Sequence, residues 1–170
     1  AYEVGDEVLG DPASPVRLQQ PWEGAHPPYR GTEVVARRGC DPNPLDPTTE
    51  EGRLTLTSYV WPDHVARLAR LRAALEVARA VPADVERAGA LEFLQRELDG
   101  RTDVTTLVWH SVVWQYVHPD ERAAVDALLE RCEGPVVRAS MEPNRIGEGH
   151  VFQVHLRRAG HDPVHVADCH

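Results

Sequence analysis

The sequence contains no lysine, and all 18 of its basic residues are arginines. The use of arginine in place of lysine is typical of genes rich in G and C, and it indicates no catalytic mechanism. With 27 acidic residues the formal net charge is -9 at pH 7. Such a deficit of positive charge gives the surface an average field that repels phosphate backbones and anionic lipid headgroups. We therefore expect neither nucleic acid nor a membrane surface to be a partner.

Cysteine and long apolar runs are also scarce. The three cysteines, Cys40, Cys132 and Cys169, are widely spaced and include no C-x-x-C pair. This spacing argues against a disulfide framework and against a structural zinc site. No apolar run approaches the roughly 20 residues of a membrane-spanning helix. We expect a cytoplasmic protein.

The length predicts one domain over residues 1–170, with a core of ordinary size. Prolines and turn residues fill residues 1–30, which predicts an irregular arm or short hairpin there. The apolar Thr32–Ala36 predicts a short buried strand, and the prolines that follow from Pro42 prevent its continuation. Asp41 therefore lies where that strand is expected to end.

Apolar residues at helical spacing predict three helices. The first is expected over Pro62–Ala80, with Pro62 in its first turn. The second contains Leu91 and ends at Gly100, and the third begins at Pro119 and closes before Gly134.

Strands are predicted between and after these helices. A short one is expected near Val85, a buried one over Val104–Trp109, and another over Val136–Ala139, ending near Ser140 and Glu142. Alternating apolar residues then predict a terminal antiparallel hairpin over 152–166. The order of elements indicates an α/β fold with a mostly parallel sheet and this antiparallel hairpin at its edge.

Polar residues follow three of the predicted strands, where open α/β sheets bind their ligands. They are Asp41, the pair His110 and Ser111, and the pair Ser140 and Glu142. We expect one sheet edge to collect Asp41, His110 and Glu142 around a small-molecule ligand. The pair His110 and Ser111 does not indicate a hydrolase, because neighbours on a strand point to opposite faces and no G-x-S-x-G motif is present.

Three strings, VVARRGCDPNPLD, LTSYVWPDHVARLARLRAAL and TTLVWHSVVWQYV, resemble the core of a bacterial family known as a domain of unknown function, number twenty-three thirty-two. The resemblance spans essentially the whole chain. That family is similar to the Rossmann-like methyltransferases, which implies a Rossmann-like sheet and S-adenosylmethionine as cofactor. Fuller members carry a motif E-x-G-x-S-x-G-L-N-L ahead of this region. The resemblance thus implies a C-terminal part without the first strand and its glycine-rich loop, which associates with its missing N-terminal part or forms a homodimer.

The resemblance also implies roles for single residues. Asp41, with Asn43 beside it, would bind the cofactor ribose, and His110 would lie where such enzymes place catalytic groups. Ser111 would contact substrate at the same strand end. The strand-end argument, and not the resemblance, adds Glu142 to the substrate contacts, and Trp61 at the start of the first predicted helix is a candidate stacking lid.

Each role has a structural alternative. The alternative for Asp41 is a turn residue before proline, and the alternative for Trp61 is a residue packed at a helix start; the sequence favours both alternatives. One departure from the family pattern argues against cofactor binding: Ala88–Leu91 lacks the acidic residue that is expected to contact the adenine ring. Two functions stay in the foreground: a methyltransferase for a small molecule, and a noncatalytic Rossmann-like binding or scaffold protein. A zinc-dependent or serine hydrolase is a distant third.

The C-terminal residues His165, Asp168, Cys169 and His170 include three types of metal ligand. On a regular strand His165 and Asp168 project from opposite faces, so a chance cluster is likelier than a designed metal site. We predict no metal site.

Overall fold

The computed structural model describes residues 1–19, 23–24, 31–100, 103–146 and 149–169. Within those residues the protein is mixed α/β, with four α-helices and three sheets. The chain forms two compact units, Ala1–Arg87 and Ala88–His170. No helix in the described ranges is long and apolar enough to cross a membrane.

The first unit opens with a three-stranded sheet made of β1 (Tyr2–Val4), β2 (Glu7–Leu9) and β3 (Leu18–Gln19). β1 and β2 form an antiparallel hairpin, and β3 pairs with β1 in parallel. Gly5 supplies the positive φ, 60°, that a two-residue hairpin turn requires at its first position. The sequence predicted either an irregular arm or a short hairpin over residues 1–30, and β1 with β2 forms a short hairpin.

A parallel pair of strands forms the second sheet of this unit. β4 (Arg38–Asp41) runs beside β5 (Asp84–Arg87), with Asp41 opposite Arg87. β5 confirms the strand predicted near Val85. The strand predicted over Thr32–Ala36 is wrong, because pairing with β5 begins only at Arg38. Val34 and Val35, at 64% and 69% exposure, have no sheet neighbour to pack against.

Two helices connect β4 to β5. α1 (Glu50–Ser58) was not predicted; its start is fixed by the Thr49 hydroxyl, which accepts a hydrogen bond from the Gly52 N–H at 3.1 Å. α2 (Val65–Ala80) starts three residues later than predicted.

A turn explains the late start of α2. The Trp61 carbonyl accepts a hydrogen bond from the His64 N–H at 3.0 Å, which closes a β-turn. Pro62 occupies the second position of this turn, where its fixed φ is favoured. The proline therefore shapes the turn before the helix and not the first turn of the helix.

The second unit contains two helices and one four-stranded sheet. Its elements are α3 (Ala90–Leu98), β6 (Thr106–Ser111), α4 (Pro119–Arg131), β7 (Val136–Ile146), β8 (Gly149–Arg158) and β9 (Val164–Cys169). The strand order is β6-β7-β8-β9. β6 and β7 are parallel, whereas β7 with β8 and β8 with β9 are antiparallel. The predicted terminal hairpin is confirmed as β8 and β9, but the sheet is less parallel than expected.

The core of this unit lies between its helices. The buried helical side chains are Phe93, Leu94, Leu98, Val125 and Leu129. A carboxylate also joins the two helices, because Glu121 accepts a hydrogen bond from the Leu91 N–H at 3.2 Å. Packing against α3 thus fixes α4, which in turn lies beside β7.

Two predicted strand ends are corrected. β6 continues to Ser111, so His110 lies inside the strand. β7 continues to Ile146 because it goes on pairing with β8 after its pairing with β6 stops at Met141. Ser140 and Glu142 therefore lie within a strand and close to the end of its parallel part.

Candidate functional site

One face of the four-stranded sheet carries polar side chains on every strand, and we call it the polar face. Residues two apart on a strand share a face, and paired residues share it across strands. His110 is opposite Ser140, and Ser140 is opposite His155. The polar face therefore comprises His110 on β6, Arg138, Ser140 and Glu142 on β7, Gln153, His155 and Arg157 on β8, and His165 and Asp168 on β9.

His110 and Glu142 meet on this face. The His110 Nδ1 lies 2.7 Å from the Glu142 Oε1, and the two side chains are 11% and 20% exposed. Arg138 Nε donates a hydrogen bond to His110 Nε2 at 3.0 Å. Because a guanidinium can only donate, Nε2 must be the acceptor, and the imidazole proton is then on Nδ1. The contacts thus assign His110 as a neutral ring that donates to Glu142.

Arg138 makes two further contacts. Its Nη1 donates to the Asp126 carboxylate on α4, and its guanidinium carbon lies 4.2 Å from the centre of the Trp114 ring. The same Trp114 stacks on His110, with ring centres 4.7 Å apart and planes 22° from parallel. We refer to His110, Glu142, Arg138, Asp126 and Trp114 as the His110 network.

Burial is the main influence on the protonation of His110. The pKa of His110 is lowered from 6.5, first because burial disfavours the charged ring and also because of the Arg138 charge. The hydrogen bond to Glu142 and the charges of Glu142 and Asp126 act in the opposite direction. Burial prevails, in agreement with the neutral ring assigned from the hydrogen bonds.

The turn after β6 brings Trp114 over His110. Val112 has φ of 52°, a conformation that a β-branched residue rarely adopts. Its N–H donates to the Met141 carbonyl at 2.9 Å, which ties the turn to β7. The N–H groups of Val113 and Trp114 then point to Glu142 Oε1 at 3.4 and 3.3 Å. Backbone strain of this kind concentrates at functional sites.

The network limits what His110 can do chemically. Its Nδ1 is committed to Glu142 and its Nε2 to Arg138. A substrate group can exchange a proton with His110 only by replacing Arg138 at Nε2. Glu142 would then stabilise the imidazolium, as the carboxylate partner of a catalytic histidine does.

Ser111 lies on the opposite face of the sheet. It is paired with Met141, whereas His110 is paired with Ser140. The alternation of side chains thus separates the two neighbours, and the substrate role of Ser111 stays a prediction.

Asp41 and Asn43 belong to the first unit, where they shape the loop after β4. Asp41 Oδ1 accepts a hydrogen bond from the Asn43 N–H at 2.7 Å, which is an Asx turn. Asn43 Oδ1 accepts from Arg87 at 3.0 Å, and Arg87 also donates to the Pro42 carbonyl at 3.1 Å. The exposed carboxylate of Asp41 thus has the turn role that was its alternative, while its ribose role stays a prediction.

Trp61 also belongs to the first unit and is 71% exposed. The alternative of a tryptophan packed at a helix start is therefore wrong, and its role as a stacking lid stays a prediction. The shared edge expected for Asp41, His110 and Glu142 stays a prediction as well. Of these three residues, His110 and Glu142 meet in the second unit.

His165 and Asp168 are closer than the sequence predicted. Pairing of β9 with β8 is irregular between Val154 and His155, which shifts the register by one residue. His165 Nε2 and Asp168 Oδ1 consequently lie 2.9 Å apart on the same face. Within the described ranges no group of three or more His, Cys, Asp or Glu residues could hold a metal, and His170 lies outside them.

Sequence reasoning missed three members of the network: Arg138, Trp114 and Asp126. Arg138 carried a usable signal, because a charge between Val137 and Ala139 in an apolar strand needs a partner. Nothing in the sequence indicated that the partners would be His110 and Asp126.

The model of the family described as an uncharacterized protein conserved in bacteria (DUF2332) matches residues 1–170. No curated protein and no solved structure is significantly similar to the chain.

Proposed function

We propose that this chain, which belongs to the bacterial family DUF2332, has a Rossmann-like fold. We infer that it is part of an S-adenosylmethionine-dependent methyltransferase that acts on a small molecule. The observation that carries the proposal is the position of Asp41 at the carboxyl end of β4, beside the parallel strand β5. In Rossmann-like sheets the second strand ends in an acidic residue that binds the ribose.

The connections between strands support this assignment. α1 and α2 join β4 to its parallel neighbour β5, and α4 joins β6 to its parallel neighbour β7. Parallel neighbours joined through helices are the repeating unit of Rossmann-like folds.

Open strand edges support it too. Among the described residues, β4 pairs only with β5 and β6 only with β7, so each strand has one edge without a neighbour. In the Rossmann-like order, the first strand pairs with the second. We infer that cofactor binding needs such a strand with its glycine-rich loop, from the remainder of a longer protein. A second copy of this chain could fill the same edges and give a homodimer.

The carboxylate of Asp41 has an oxygen that can accept a hydrogen bond from a ribose hydroxyl. Its Oδ1 accepts the Asn43 N–H, and its Oδ2 has no partner among the described residues. An exposed carboxylate with one free oxygen is a suitable acceptor for a ribose hydroxyl. Within the first unit the proposal gives Asn43 the role of fixing the cofactor loop and Trp61 that of a lid. Within the second unit it gives His110 and Glu142 the role of orienting the methyl acceptor.

Calorimetric titration of the full-length protein with S-adenosylmethionine and S-adenosylhomocysteine tests the proposal. Asp41→Asn keeps an oxygen for the Asx turn but removes the charge, and it should weaken binding by about 1–3 kcal/mol. Asp46→Asn is a matched control, because Asp46 forms the same turn with the Thr48 N–H at 2.8 Å. No heat with wild type at about millimolar ligand removes the methyltransferase proposal. Unchanged affinity in Asp41→Asn leaves Asp41 only its turn role.

A noncatalytic Rossmann-like binding or scaffold protein is the second candidate. Two observations favour it: Arg138 occupies His110 Nε2, and Ala88–Leu91 offers no acid for an adenine ring. For this candidate the full-length protein binds a ligand at the same sheet edge but transfers no methyl group. A radiolabelled methyl-transfer assay against cell extract separates the two.

A further inference from the structure

A concave site on the polar face extends beyond the His110 network, with which it shares only Arg138. Its volume is about 260 Å³, and it is lined by Arg138, Ser140, His155, Arg157 and Pro163. The lining follows the strand register, since Arg138 is opposite Arg157 and Ser140 is opposite His155. Four donor side chains from β7 and β8 thus surround one cavity.

Two like charges face each other in this cavity. Guanidinium groups directly opposite on neighbouring strands repel each other. α4 compensates from outside the cavity lining, because Asp126 pairs with Arg138 and Glu130, one turn later, pairs with Arg157. No acidic side chain is among the residues that line the cavity.

Several donors in the cavity lack an acceptor. The side chains of Ser140 and His155 have no hydrogen-bond partner in the described part of the chain; His155 only tilts against the His165 ring, with centres 5.4 Å apart. The Nε–H of Arg157 is buried and likewise has no partner there. The Ser140 hydroxyl and the His155 ring are thus available to an acceptor that enters the cavity.

We propose that this cavity binds the oxyanion group of a small molecule, either a carboxylate or a phosphate. Both groups accept several hydrogen bonds at once and match the planar fork of arginine. The cavity is slightly smaller than the 300–1,000 Å³ of typical ligand pockets, which fits a small anion. The inference rests on the donors of β7 and β8 and not on S-adenosylmethionine binding, so it holds for either candidate function.

Nitrogen-edited NMR of the full chain, titrated with inorganic phosphate and separately with malonate, tests the proposal. Sodium chloride keeps the ionic strength constant, so that screening alone produces no shift. We expect saturable shifts of the Ser140 and His155 amides with a dissociation constant of about 1 mM. The tighter of the two anions identifies the oxyanion class.

Two variants that each break the ion pair between Arg157 and Glu130 give the most discriminating test. Arg157→Gln removes the positive charge and the guanidinium fork and should raise the dissociation constant at least about tenfold. Glu130→Gln frees the same guanidinium from its internal acid and should lower that constant. Arg70→Gln, an exposed arginine on α2, should change nothing.

The same titrations can overturn the proposal. Absence of saturable shifts with both anions at about 20 mM, well above the expected constant, rules the site out. Equal weakening in Arg157→Gln and Glu130→Gln would mean that the ion pair only supports the fold. If Arg157→Gln does not fold, Ser140→Ala replaces it and should weaken binding several-fold, with unchanged binding counting against the site.

Discussion

Replacement of Glu142 by glutamine tests the His110 network most directly. Glu142 Oε1 is 2.7 Å from His110 Nδ1, while the N–H groups of Val113 and Trp114 are 3.4 and 3.3 Å away. The two backbone contacts exceed the usual length of an N–H···O bond, so most of the stabilisation comes from His110. The variant therefore reports mainly on one charge-assisted hydrogen bond.

The magnitude follows from what glutamine keeps. Its amide oxygen can still accept from Nδ1, but it carries no charge. Hydrogen bonds to charged groups contribute about 1.5–3 kcal/mol and neutral ones about 0.5–1.5 kcal/mol, so Glu142→Gln should lower the free energy of unfolding by about 1–1.5 kcal/mol. Glu142→Ala leaves the half-buried Nδ1–H without an acceptor and should lower it by about 2–3 kcal/mol.

Urea unfolding at pH 7.5 measures these free energies. Glu76→Gln, an exposed position on α2, is the control and should change the free energy of unfolding by no more than about 0.5 kcal/mol. If Glu142→Gln is as neutral as this control, the contact with His110 is not a stabilising one and the reasoning fails.

The pH dependence gives a second readout with a fixed sign. Because the pKa of native His110 lies below 6.5, the unfolded chain takes up a proton first as the pH falls. The stability that His110 contributes is therefore complete above pH 6.5 and is lost as the pH falls through the native pKa. Glu142 raises that pKa, so Glu142→Gln should lower it further. An NMR titration in which the His110 pKa rises or stays constant would refute the assigned contact.

Two further predictions concern the backbone. Gly52→Ala should destabilise the protein by more than about 3 kcal/mol, because a Cβ there would overlap the Asp46 carbonyl oxygen; Gly39→Ala, whose Cβ would meet Val85 at an ordinary 3.6 Å, should cost far less in the same thermal unfolding assay. Val112→Gly should be about 1–3 kcal/mol more stable than Val113→Gly, because only Val112 has the strained positive φ; equal stability would mean that no strain is stored.

Helices with a regular apolar stripe could be predicted from the sequence. α3 and α4 occur close to their predicted bounds, because packing of the two helices buries Leu94 and Val125 as their spacing indicates. α1 escaped prediction because its apolar residues alternate with polar ones over GRLTLT, a strand-like period. Its helical state is indicated by the Thr49 cap instead.

The strand predicted over Thr32–Ala36 failed for the opposite reason. Val34 and Val35 favour a strand, but β-propensity mostly reflects packing against neighbouring strands. β5 supplies that neighbour only from Arg38 onward. A single sequence does not reveal where a partner strand begins.

The candidate site could be predicted only in part. His110 and Glu142 were both identified from their strand positions, and they do meet. Arg138 and Trp114 could not be added, because their contacts depend on the β6–β7 register and on the positive φ of Val112. A β-branched residue is disfavoured in that conformation, so the turn contradicts local preference. The irregular pairing of β8 with β9, which brings His165 and Asp168 together, likewise depends on strand register and could not be predicted from the sequence.

The charges of the His110 network explain why its burial matters. With a neutral His110 the network holds the positive Arg138 and the negative Glu142 and Asp126, so its formal charge is -1. A proton on His110 would make the network neutral, and the two acids favour that proton, whereas burial and Arg138 oppose it. An uncharged ligand that covers the ring therefore lowers the pKa of His110 further. A ligand that draws Arg138 away raises that pKa. The protonation of His110 thus depends on what occupies the polar face, so a change in the NMR titration of His110 on addition of a ligand reports that the ligand occupies this face.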